Sequence, residues 1–203
     1  MNPSLVGSEM CIRDREIIPT KRARGAPRLR MAPLCVCPVY FQGVGVEGDY
    51  GFQLQDARDN PDSTYKTGLH VFNENVVDQR SKSTRAGGGN AIARPYRASG
   101  QSIGVPTGNY GGFRSLDEPI DDDDTAKDAI DEAIDEIVEH VVANPNRFDT
   151  IYYCTNGPGE TLIGMGIFHI EPSTREYITA RIKALPRLIA RAAAATQLCN
   201  EML

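Results

Sequence analysis

The chain has 203 residues and a formal net charge of −5, with 40% hydrophobic and 24% charged residues. That composition is globular and excludes wholesale disorder and collagen-like or coiled-coil fibres. It contains no apolar run of roughly 18 residues, so no membrane-spanning helix is predicted and a cytoplasmic protein is expected.

The first segment stands apart in charge. Residues 1–30 hold seven basic and three acidic side chains, whereas residues 31–203 hold 15 basic and 24 acidic, a net of −9. An Arg-rich start invites a targeting or nucleic-acid reading. However, the stretch from Leu5 to Asp14 matches a translated sequencing-library transposon adapter. Residues 1–15 are therefore set aside, 1–30 are read as an artefactual or disordered segment, and Met31 is a candidate native start. Cys35, Cys37, Cys154 and Cys199 remain, without the paired spacing of a zinc site. No metal or cofactor is implied, and reduced thiols are expected.

Residues 31–66 read as irregular. Two short apolar pieces, Val36–Phe41 and Tyr50–Leu54, are read as strands that could pair as a hairpin. Ordered α/β structure is expected over 67–203. Leu69–Phe72 reads as a buried strand and Asn90–Arg94 as a helical turn stopped by Pro95. Ser102–Val105 reads as a second strand, and 109–113 as a Gly-rich loop. The clearest element is a helix over 125–143, with Ala126, Ala129, Ile130, Ala133, Ile134, Ile137, Val138 and Val141 on one face. Thr125 and Asp128 have the spacing of a capping box. A strand over Thr150–Thr155 follows, then a strand or loop over Leu162–Phe168. A final helix is capped by Ser173 or Thr174 and broken or kinked at Pro186. This order predicts an α/β fold: one layered domain with a short mixed or parallel sheet flanked by helices, macro- or Rossmann-like.

Two charged stretches bear on function. Between Asp117 and Glu139 stand twelve acidic residues and one basic residue, Lys127. The run lacks the alternation of an EF-hand and reads as a solvated, dipole-compensating face, available to a basic protein partner and unsuited to nucleic acid. Upstream, Arg80, Lys82, Arg85, Arg94 and Arg97 surround Gly87-Gly88-Gly89 without an acid between Gln79 and Arg97. Glycines let backbone N–H groups approach an anion, and Arg94, one turn beyond Asn90, offers a forked donor to phosphate. The stretch has neither the G-x-G-x-x-G nor the G-x-x-x-x-G-K-[ST] spacing, so the signal is general.

Asn73, Glu74 and Asn75 follow the first of these strands, and Thr107, Gly108 and Asn109 follow the second. Parallel strands would bring both triplets and the 87–94 segment to one sheet edge, where open α/β sheets bind ligands. The asparagines suit base edges and ribose hydroxyls, and Glu74 is the candidate general base. His70 and His169 read as structural residues within apolar strands, His140 as the edge of the long helix, and no nucleophile elbow occurs.

The motifs Leu69-His-Val-Phe-Asn-Glu-Asn75, Ala86-Gly-Gly-Gly-Asn-Ala-Ile-Ala-Arg-Pro-Tyr96 and Ile103-Gly-Val-Pro-Thr-Gly108 resemble a group of uncharacterised bacterial and phage domains. The resemblance covers about 69–185 and brings no established activity with it. More distantly, an Asn-bearing strand end followed by a Gly triplet resembles macro domains. That resemblance implies ADP-ribose binding, with Asn73 or Asn75 and Gly87–Gly89 in those roles. The expectation is a domain that binds, and in an enzyme would hydrolyse or transfer, a nucleotide-like or phosphorylated small ligand. The alternative is a non-catalytic interaction domain.

Overall fold

The computed structural model describes residues 33–41, 49–87, 89–166 and 168–201. Four strands, β1 (Cys35–Tyr40), β2 (Gly68–Asn75), β3 (Ser102–Gly108) and β4 (Thr150–Thr155), form one sheet in the order β1-β4-β2-β3. Every neighbouring pair is parallel. The fold is α/β, as expected, and the sheet is parallel rather than mixed. β1 falls where the piece Val36–Phe41 was expected as a strand, within the otherwise irregular segment, and it is an edge strand of this same sheet.

The helices α1 (Tyr50–Asp59), α2 (Val76–Arg80), α3 (Ala126–Ala143) and α4 (Pro172–Glu201), with a 3-10 helix over Gly89–Ser99, fill the connections. Residue alternation divides them between two faces. On one face, Leu69, Val71, Ile103, Val105, Ile151 and Tyr153 pack under Ile130, Ile134 and Ile137 of α3 and Ile178, Ile182 and Leu185 of α4. On the other, Val39, Phe72 and Cys154 meet Tyr50 and Leu54 of α1 and Ala93 of the 3-10 helix. The connections after β1 and β2 thus reach one face through α1 and the 3-10 helix, with Val76 of α2 joining the other cluster on the way, and β3 and β4 lead to α3 and α4 on that other face. β2 and β4 are neighbours in the sheet, so the chain changes sides between them.

α3 forms as its sequence predicts. The Thr125 hydroxyl accepts from the Asp128 N–H, and the Asp128 carboxylate accepts from the Thr125 N–H at 3.0 Å, closing the capping box. Several expectations are corrected. Tyr50–Leu54 is helical, not a strand: Asp49 caps α1 by accepting from the Gly51 N–H at 2.8 Å, and Tyr50, Gln53, Leu54 and Ala57 bury one helical face. The turn at Asn90 runs on through Pro95 to Ser99. α4 starts at Pro172, earlier than a Ser173 or Thr174 cap would place it, and runs through Pro186 unbroken. Proline suits a first helical position because its missing N–H has no helical partner there. At Pro186, Ile182, Leu185 and Ile189 are buried on both sides of the proline, so packing holds the helix across it. Leu162–Phe168 forms no strand among its described residues, and His169 lies in the connection after it, outside any strand.

Candidate functional site

Parallel strands deliver all their carboxyl ends to one edge. There the structure brings together the three predicted segments: Asn73–Asn75, the last residues of β2 and not a loop after it; Gly87–Arg94; and Thr107–Asn109, where β3 ends. Gly88 and the side chain of Asn90 lie outside the described residues.

Glu74 forms the centre. Its side chain has no solvent exposure, and both of its carboxylate oxygens are engaged. Oε1 accepts from Arg94 Nε at 2.6 Å, and Oε2 accepts from Arg97 Nη2. Burial pushes the Glu74 carboxyl above its ordinary range, while the Arg97 and Arg94 guanidiniums oppose that rise. The carboxylate lies across β3 at Gly104, where an added Cβ would stand 1.9 Å from Oε2. Glycine is therefore required there by close approach. Opposite Pro106, which has no N–H to give, the β2–β3 register shifts between Glu74 and Asn75. The Thr107 hydroxyl donates to the Glu74 carbonyl at 3.4 Å across this irregularity.

The two arginines differ in what they face. Arg97 points inward: Nη1 donates to the Ser83 carbonyl at 2.6 Å, and the guanidinium lies 5.7 Å from the Phe72 ring centroid. Arg94 bridges inside and outside. Nε is held by Glu74, while Nη2 meets Asp78 Oδ2 at 2.7 Å, and the Asp78 side chain is 36% exposed. Gly87 packs on this guanidinium, since a Cβ at Gly87 would stand 3.1 Å from Nη1.

The remaining predicted residues serve the scaffold. Asn75 caps α2, accepting from the Val77 N–H at 2.9 Å. Asn73 fills the crevice where the chain changes sides: Nδ2 donates to the Gly164 carbonyl, and Oδ1 accepts from the Cys154 thiol. Gly164 N donates to the Cys154 carbonyl at 2.9 Å, so the connection after β4 lies over this crevice. Gly108 allows a tight turn, since a Cβ there would stand 1.6 Å from the Gly111 carbonyl oxygen. Asn109 follows, with Oδ1 buried and unpartnered among the described residues.

The general-base role read for Glu74 is corrected by this geometry. A carboxylate without solvent exposure, with each oxygen held by a guanidinium, is not open to a substrate proton. The two charged stretches meet each other at the surface. Arg80 meets Asp121 at 2.9 Å and Asp124 at 2.5 Å, and Lys82 pairs with Glu136. The basic and acidic runs thus partly neutralise each other.

The sequence places Arg97 in the basic stretch but not at Glu74, because nothing local marks it as a buried partner of a residue 23 positions away. Residues 42–48, which lie outside the described residues, were passed over. They read Gln-Gly-Val-Gly-Val-Glu-Gly, a G-x-G-x-x-G spacing between β1 and α1. A shallow groove of about 390 Å³, lined by Arg58, Pro95, Tyr96, Ala98, Ser99 and Gln101, lies at the amino-terminal side of β3, away from these residues. Among the described residues no cluster of His, Cys, Asp and Glu is suited to a metal ion, and no helix is long and apolar enough to cross a membrane. No family model, curated protein or solved structure matches the chain.

Proposed function

We propose that the domain binds a small phosphorylated or nucleotide-like ligand at the carboxyl edge of its sheet, with Arg94 as the anion contact. The observation that carries this reading is the half-buried Arg94 itself. Glu74 fixes one side of its guanidinium, and the other side faces a partly exposed carboxylate, Asp78. Asp78 stands where a ligand phosphate oxygen would sit, and a planar guanidinium held in advance loses little freedom on binding. Gly87 lets the backbone lie close to the same group.

Position supports the reading too. Ligands of open parallel sheets gather at carboxyl edges where the chain changes sides. The G-x-G-x-x-G spacing between β1 and α1 points the same way. Glu74 and Arg97 act as positioning residues, not as groups that touch ligand. ADP-ribose belongs among the probes because of the macro-domain resemblance. Calorimetric titration with ADP-ribose, NAD, ADP and inorganic pyrophosphate tests the proposal. Saturable heat with at least one of them, weakening as salt is raised, is expected; no heat with any of the four on folded protein contradicts it.

A further inference from the structure

We infer that a second copy of this chain docks on the face formed by α3 and α4, in a twofold dimer whose axis runs along the furrow between the two helices. The outer surfaces of these helices carry opposite charges. On α4, exposed Lys183, Arg187 and Arg191 recur every four residues, on the side away from buried Ile182, Leu185 and Ile189. On α3, exposed Glu132, Asp135 and Glu139 lie on the side away from buried Ile130, Ile134 and Ile137. Arg80, Lys82, Arg175 and Arg181 each meet a carboxylate of their own chain. Lys183, Arg187, Arg191, Asp135 and Glu139 have no ion-pair partner among the described residues.

The two ridges lie side by side. The Asp131 carboxylate accepts from the Tyr177 hydroxyl at 2.7 Å and meets Arg181 Nε at 2.8 Å. Both helices follow parallel strands and return over one sheet face, so they point the same way. Counting on from Asp131, Asp135 is level with Lys183 and Glu139 with Arg187. Val138 and Leu188, two turns beyond Asp131 and Arg181, and Val142 one turn further, floor the furrow between the ridges and are only partly buried. An apolar strip with charged rims is the anatomy of a protein interface. The charges also select its symmetry. A twofold axis across the helices would lay α3 on α3 and acid on acid. An axis along the furrow lays furrow on furrow, with Asp135 of each copy facing Lys183 of the other and Glu139 facing Arg187. α3 has 18 residues, about 27 Å, so two helices offer about 540 Å² per copy, or roughly 1,100 Å² in all, against roughly 1,000 Å² for a specific interface. The dimer therefore sits at the weak, salt-sensitive end. A nucleic acid fits this face less well, because the acidic ridge beside the basic one repels phosphates.

Sedimentation equilibrium of the full chain tests this arrangement through an exchange of charges. At low salt, wild type should pass from monomer to dimer mass as its concentration rises, and return towards monomer as salt is added. Arg187→Glu and Glu139→Arg should each weaken self-association at least about tenfold, because each sets like charges opposite one another at both ends of the twofold. Both positions are exposed, so both variants should melt with wild type. Mixed in equal amounts, the two variants should associate within about twofold of wild-type affinity, since each reversed charge then meets its opposite. A wild type that stays monomeric at every concentration overturns the inference. So does a dimer that charge reversal leaves unchanged, or a mixture that associates no more tightly than either variant alone.

Discussion

The basic segment 80–97 feeds two ionic clusters of similar chemistry and opposite setting. In one, Arg94 and Arg97 close on Glu74, with side-chain exposures of 13%, 10% and 0%. In the other, Arg80 and Lys82 spread over Asp121, Asp124 and Glu136 at the surface, with exposures of 29–51%. A buried ion cluster gains little over an apolar core when intact, but leaves a stranded charge when one member is removed. A surface cluster is screened and contributes little either way. The first can therefore hold a functional group in a fixed place, and the second mainly settles the charge of the acidic run.

The contrast is broken most severely at its centre. Glu74→Gln removes the buried charge that two guanidiniums share and is expected to destabilise the fold by about 3–5 kcal/mol, read by denaturant unfolding. Gly104→Ala attacks the same cluster without touching a charge. The new methyl meets a carboxylate that both arginines hold in place, so a loss of about 1–3 kcal/mol is expected. If Gly104→Ala unfolds at the wild-type denaturant concentration, the tight seat of Glu74 over β3 is wrong.

Burial of a different ionisable group sets a pH dependence. His70 has no exposure, sits against Tyr50 and Tyr152, and burial holds its ring down at about 3. The unfolded value is about 6.5, so between these values the unfolded chain binds more protons than the folded one. Stability is then complete above about pH 6.5 and falls as the pH is lowered towards 3. Unfolding free energies across that range should show the slope in wild type and a flatter limb in His70→Phe.

The smallest effect is at the surface. Arg80→Ala is expected to cost no more than about 1 kcal/mol and to cost less still at high salt. A loss as large as that at Glu74 would erase the difference between the two clusters.

How much of this was legible in the sequence depended on where each signal lies. α3 shows its period, cap and stop within one continuous stretch, and β2, β3 and β4 are short apolar runs bounded by turn residues. α1 was misread because Gly51 and the polar residues among Tyr50, Gln53, Leu54 and Ala57 hide a narrow helical face. The gathering of 73–75, 87–94 and 107–109 at one edge followed from parallel strands alone. The inward turn of Glu74 did not. It depends on Arg94 and Arg97 arriving from the 3-10 helix and on the bare backbone of Gly104 in the next strand, and only the folded chain places these together. The same holds for Arg80, whose acidic partners lie more than forty residues away.

Arg94, poised between a buried carboxylate and an exposed one, is tested most directly by removing its outer partner. Calorimetric titration of wild type and Asp78→Asn with ADP and with pyrophosphate, at one fixed salt concentration, measures whether Asp78 occupies the anion's place. The account predicts that Asp78→Asn binds both probes about tenfold more tightly, because a competing carboxylate is gone and Glu74 still holds Arg94. Equal or weaker binding of both probes by Asp78→Asn would contradict it.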